Sequence, residues 1–187
     1  MATRGKRNMS STEPLFFDTD CLSAFLWIKE ESIVTRLYPG RVVIPQAVYS
    51  ELSNPCVPHL KARIDLLLAT GRARVQDIDV GTPAYAFYKK LIIPTEIGQK
   101  VIGRGEAEAI TLAREYHGIL ASNNLRDVSP YVQALGLQHK TTGDILKDAL
   151  LAGMITEEEG NGLWETMRKR KRKLGYDSFT EFLKSTH

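Results

Sequence analysis

Short apolar runs alternate along this chain with longer stretches of helical periodicity. Leu15–Phe17 (LFF), Arg41–Ile44 (RVVI) and Gly118–Ala121 (GILA) are rich in branched or aromatic residues and too short for helices. The run ARVQDIDV (residues 73–80) adds a short strand that passes into a loop, and Leu137 starts a last edge strand. The stretches between them are long enough for crossover connections. This order predicts a parallel sheet of four or five short strands between helical layers.

The helical stretches carry their own signals. After LFF, Thr19 or Asp20 caps a helix whose apolar side is Leu22, Phe25, Leu26 and Ile28. A second covers Glu30 to Leu37. Pro45 is placed at the first position of the helix QAVYSELS, where its missing N–H costs nothing. Another helix runs from about His59 to Ala69, and Thr82 with Pro83 opens one that carries Tyr85 and Tyr88. Those tyrosines can stack on bases, though packing is their commoner role. Gly103 and Gly105 permit a close approach at the start of GRGEAEAITLARE (residues 103–115). Beyond GILA, a helix from about Val128 ends at Gly136, and TTGDILKDALLAG is amphipathic. Thr156 and Glu157–Glu159 open a longer helix with an acidic first turn, whose far end is a basic run stopped by Gly175. DSFTEFL is a terminal helix whose Phe179 and Phe182 dock on the body. The expected organisation is a basic N-terminal arm at 1–13, one domain at 14–155 and a helical extension at 156–187.

With 43% apolar residues in 187, the chain supplies a real core. No apolar run approaches the roughly 18 residues of a membrane span. The basic N-terminus lacks an apolar stretch of signal-peptide type, so a soluble, cytoplasmic protein is expected. Cys21 and Cys56 are too few for a disulfide framework. The net charge of +3 is uneven, because Arg168, Lys169, Arg170, Lys171, Arg172 and Lys173 are consecutive and leave the remainder acidic. An acidic centre with basic ends suits a metal-collecting site flanked by phosphate-binding segments; the plainer role of such runs is as solvated ends.

The candidate acids sit at the same end of the expected sheet. Asp18 follows the first strand, Glu51 is on the helix after the second, and Glu106 and Glu108 head the helix before GILA. The polar run SNNLRD (Ser122–Asp127) follows GILA. Hydrolysis of a phosphodiester needs an activated water and a stabilised leaving oxygen, which one or two divalent cations can provide. Mg²⁺ and Mn²⁺ favour oxygen ligands. His59, His117, His139 and His187 have no metal-ligand spacing, and no phosphate-binding glycine loop follows a strand.

In order, LFFDTDCLSAF, VVIPQAVYSEL, GRGEAEAITLA, GILASNNLRDV and TTGDILKDALLAGMI resemble a PIN-domain ribonuclease of the VapC-like toxin group. The resemblance covers roughly Leu15 to Ile155. It implies a three-layer α/β/α sandwich, Mg²⁺- or Mn²⁺-dependent endonuclease action on RNA, and control by a protein antitoxin; such proteins are often homodimers. Carried over, Asp18 and Glu51 match the first two acids and Glu106 the third, with Glu108 as a further metal ligand beside Asp18 and Glu106. The fourth acidic position falls on Asn124, or on Asn123 in the neighbouring register, and Asp127 can substitute if the loop bends inward. The amide departs from the family pattern and binds a hard cation less well. Arg104 and the run Arg168–Lys173 are the expected nucleic-acid contacts. A weakened module that binds RNA or DNA, or a partner-regulated subunit, is the alternative.

Overall fold

A computed structural model describes residues 12–94 and 101–185, so most of the expected N-terminal arm lies outside the described residues. Five strands, β1 (Leu15–Phe17), β2 (Val42–Pro45), β3 (Arg74–Gln76), β4 (Ile119–Ala121) and β5 (Gln138–Lys140), form one parallel sheet in the order β3-β2-β1-β4-β5. The helices are α1 (Thr19–Ile28), α2 (Glu31–Leu37), α3 (Gln46–Leu52), α4 (Pro58–Ala69), α5 (Pro83–Ile92), α6 (Arg104–Glu115), α7 (Leu125–Leu135), α8 (Thr142–Leu151), α9 (Glu157–Lys169) and α10 (Phe179–Ser185).

The two-residue period of the strands builds the layers. Leu15, Phe17, Val42, Ile44, Ile119 and Ala121 face one apolar core with residues of α1, α4, α8, α9 and α10. Phe16, Val43 and Leu120 face the opposite core with α6 and Val128 of α7. Both faces of the central strands are therefore covered, as expected of a parallel sheet, and the result is an α/β/α sandwich. The edge strands RVQ and QHK are partly exposed and carry charge, which discourages pairing with another chain.

Several local expectations shift. Asp18 itself, not Thr19 or Asp20, caps α1 by accepting the Cys21 N–H at 2.6 Å. Pro45 closes β2 opposite Gln76, with φ −56° and ψ 146°, so α3 begins one residue later. Asn124 turns the chain directly into α7, which starts at Leu125 instead of Val128. α9 stops at Lys169, not near Gly175: Lys171 takes φ 60°, its N–H donates to Arg168 O at 2.8 Å, and the Arg172 N–H donates to Met167 O at 3.0 Å. That Schellman-type turn folds the basic run back toward α1.

The last helices join the main core. Trp164, Met167, Phe179 and Phe182 are buried there. Phe182 packs so close to α8 that a Cβ at Gly143 would meet its ring at 2.6 Å, and a Cβ at Gly160 of α9 would meet the Phe179 ring closer still.

Candidate active site

β1 is the centre of the sheet, with β2 on one side and β4 on the other. A crevice forms at the carboxyl ends where connections from such a strand diverge to opposite sides. Asp18 follows β1 there, and its backbone N–H donates to Ala121 O at 2.9 Å, locking it to the end of β4. Its side chain is fully buried. One oxygen caps α1, whereas Oδ2 has no hydrogen-bond partner. Burial pushes the Asp18 carboxyl up to about 7; the nearby Ser122 hydroxyl and the Cys21 N–H pull the other way, without a donor reaching Oδ2 in hydrogen-bonding geometry. Asp20 and Glu106 push it further up by charge repulsion.

Glu51 reaches the same crevice from α3. It accepts the Thr19 hydroxyl, and its Oε1 accepts the Gly105 N–H at 3.2 Å. Gly105 is required there, because a Cβ would stand 2.9 Å from Thr19 Oγ1 and 3.1 Å from Glu51 Oε2. Glu106, in the first turn of α6, reaches back to the Gly103 N–H at 3.3 Å and accepts the Asn124 amide at 2.6 Å. Burial raises its pKa, and Asp127 and Asp20 add repulsion. The same Asn124 Nδ2 donates to Asp127 at 2.9 Å. Asp18, Asp20, Glu51 and Glu106 thus border one cleft of about 250 Å³.

Glu108 goes elsewhere. Two positions along the helix from Glu106, it is buried and accepts the Ala47 N–H at the start of α3. Burial pushes it up to about 7, and the charge of the Asp77 carboxyl adds to the shift. It borders a separate cavity with Asp77, Tyr85, Tyr88 and Arg104. Asn123 also faces away from the cleft, exchanging hydrogen bonds with Thr142 at the start of α8.

The basic run divides in the same way. Arg168 pairs with Asp177 and Lys169 with Glu165, Arg170 stacks over Trp27, and Lys171 and Lys173 are exposed. Arg172 alone among them is brought to the cleft side, 3.1 Å from Ser23 Oγ and 3.7 Å from Asp20.

Two contributors have no role assigned from the sequence. Thr19 acts through a hydroxyl that carries no signal alone, whereas Ser122 opens the polar run already singled out after GILA. Asp77 directly follows β3, as Asp18 follows β1, and the rule that singled out Asp18 would have found it.

Among the described residues no group of three or more His, Cys, Asp or Glu side chains is gathered as a ready metal cage. The carboxylates are tied instead to an amide, a hydroxyl and backbone N–H groups. Even so, the unpartnered, fully buried Asp18 oxygen and the all-oxygen set around it fit a hard divalent cation. Among the described residues no helix is long and apolar enough to cross a membrane.

A family model described as a PIN domain matches residues 15–187. No curated protein matches the chain. Among solved structures, VapBC2 from Rickettsia felis bound to a DNA fragment from its promoter aligns with a TM-score of 0.45 and 15% identity, covering 68% of this chain and 97% of that one.

Proposed function

Since the chain belongs to the PIN-domain family, we propose that it is a metal-dependent endoribonuclease working from the Asp18–Glu51–Glu106 cleft. The observation that carries this reading is Asp18: a fully buried carboxylate at the end of the central strand with one oxygen left without a donor. A structural aspartate in that position would be expected to satisfy both oxygens. Mg²⁺ or Mn²⁺, held by Asp18 and Glu106 and approached by Glu51, would supply an activated water and stabilise the leaving oxygen of the phosphodiester. Asp18 is held in place by its cap to α1. Glu51 keeps α1, α3 and α6 in register through Thr19 and Gly105. Arg172 offers a cation for substrate phosphate at the cleft rim. A toxin-like role in the cytoplasm under a protein antitoxin, with a homodimer as the working unit, accompanies the sequence resemblance.

The purified full chain with Mn²⁺ should cut RNA, chelation should stop it, and Asp18→Asn should abolish it. A matched DNA strand run in parallel decides between the two polymers. Equal cleavage by Asp18→Asn would overturn the reading.

One observation favours a second reading. Asn124 places an amide between Glu106 and Asp127, where a cation-binding acid would be expected. A nucleic-acid-binding module with weakened catalysis, or a partner-regulated subunit, follows from that. Salt-sensitive RNA binding without cleavage is its signature.

A further inference from the structure

The second cavity, about 440 Å³, opens beside the carboxylate cleft, and Glu51 lines both. Its size is within the range of about 300–1,000 Å³ common for small-ligand sites. Tyr85 and Tyr88, one turn apart on α5, stand on its wall with ring centroids 6.2 Å apart and planes tilted by 40°. Both are half-buried, so each keeps ring surface at the cavity. Arg104 also lines it, while its chain neighbours Gly103 and Gly105 line the carboxylate cleft.

The polar end of the cavity is a pair of acids that the cleft does not use. Glu108 is held by the Ala47 N–H, and Asp77 by the Ile78 N–H at 2.7 Å. Both carboxyl groups line the cavity. Glu108 is buried and Asp77 exposed, so Asp77 is the group presented to a ligand, with Glu108 behind it in the cavity wall.

We propose that this cavity is a nucleobase subsite that selects guanine next to the scissile phosphate. The inference rests on the ribonuclease reading for its substrate class. Aromatic faces take any base, since each has a π-face. Discrimination comes from the edge. Guanine carries two adjacent donors, N1–H and the N2 amino group, and one carboxylate accepts both. Uracil offers a single N–H flanked by carbonyls, whose oxygens meet the carboxylate unfavourably. Hypoxanthine keeps N1–H but lacks the amino group. A polar site left unpaired by an analogue rejects it strongly.

The test uses the full chain in EDTA, so that binding is read without cleavage. Labelled uridine pentaribonucleotides carrying a central guanosine, inosine or uridine are titrated by fluorescence anisotropy. Guanosine should bind at least about tenfold more tightly than uridine, with inosine between them. Asp77→Asn should erase the guanosine–inosine difference, and Tyr88→Ala should weaken all three oligomers together. Glu108→Gln should reduce discrimination more than overall affinity. Equal binding of the three oligomers, or discrimination that survives Asp77→Asn, overturns the proposal. Cleavage products mapped in Mn²⁺ separate the two readings. Metal-dependent cutting with no guanosine preference in binding leaves the nuclease standing and removes the subsite. Guanosine-selective binding without any cutting does the reverse.

Discussion

Nδ2 of Asn124 lies 2.6 Å from Oε1 of Glu106, and the same amide group reaches Asp127 at 2.9 Å. One neutral side chain therefore bridges two acids that would otherwise repel each other beside Asp18. In Asn124→Asp the donor is lost and a third negative group joins them. The metal-free variant should be less stable by about 1–3 kcal/mol. Mn²⁺ should then raise its melting temperature more than it raises that of the wild type, and metal-dependent cleavage should increase. Thermal melts in EDTA and in Mn²⁺ read this directly. Identical pairs of melts would show that the amide is not standing in for a ligand.

Asp18 gives the metal-free protein a specific pH dependence. Its folded pKa of about 7 exceeds the ordinary value of 3.8 because burial disfavours the charge. The fold therefore favours the protonated form. That contribution is fully present below the ordinary value and is lost as pH rises toward about 7, since the unfolded chain gives up its proton first. Asp18→Asn removes the ionisation and keeps the shape. In EDTA it should be more stable than wild type by about 2–4 kcal/mol at pH 8, with much less difference at pH 4. Urea unfolding at the two pH values measures it. Parallel profiles for the two proteins would contradict the burial argument.

The parallel sheet and its helical layers were legible because apolar strands covered on both sides are continuous runs, as in VVI and ILA. Asp18 and Glu106 could be read as candidates because one follows a strand and the other opens a helix, and Glu51 because it lies on the margin of the buried face of α3, beside Leu52. The divergence of Glu106 and Glu108 was not legible. Two residues along a helix separate side chains by roughly 200°, but only the packing of α6 against α3 decides which cavity each enters. The return of Arg172 to α1 was hidden too, because it depends on a left-handed backbone at Lys171, a lysine that gives no sign of a turn.

That divergence separates two neighbouring substitutions. Glu106→Gln alters a carboxylate of the Asp18 cleft and should lower Mn²⁺ affinity by about tenfold or more, equivalent to about 1.4 kcal/mol. Glu108→Gln alters a carboxylate held by the Ala47 N–H in the neighbouring cavity and should leave that affinity within about twofold. Calorimetric Mn²⁺ titration of both variants compares them. Equal losses would put Glu108 among the ligands.

The docking of α10 depends on two glycines. Gly143→Ala would place a methyl 2.6 Å from the Phe182 ring, so the ring or the helix must move. Overpacking of this kind costs about 1–3 kcal/mol. Amide exchange should quicken in α10 and at the Trp164 side chain, which packs on Phe182 with centroids 5.7 Å apart. Exchange confined to its wild-type rate would mean that α10 is not seated through Phe182.

Arg172 makes the basic run testable residue by residue. Its guanidinium is brought beside Asp20 on the cleft rim, whereas Lys169 is occupied by Glu165 on the outer face of α9. A phosphate contact from Arg172 releases counterions, so Arg172→Ala should weaken RNA binding and flatten the dependence of log affinity on log salt by roughly 0.7. Lys169→Ala should change neither. Because Arg172 also donates to Ser23 Oγ at 3.1 Å, its loss costs some stability. The slope distinguishes the two effects, since a fold defect lowers the active fraction at every salt concentration and leaves the slope unchanged. Binding measured in EDTA across a KCl series gives both quantities. An unaltered slope in Arg172→Ala would remove the C-terminal segment from the RNA path.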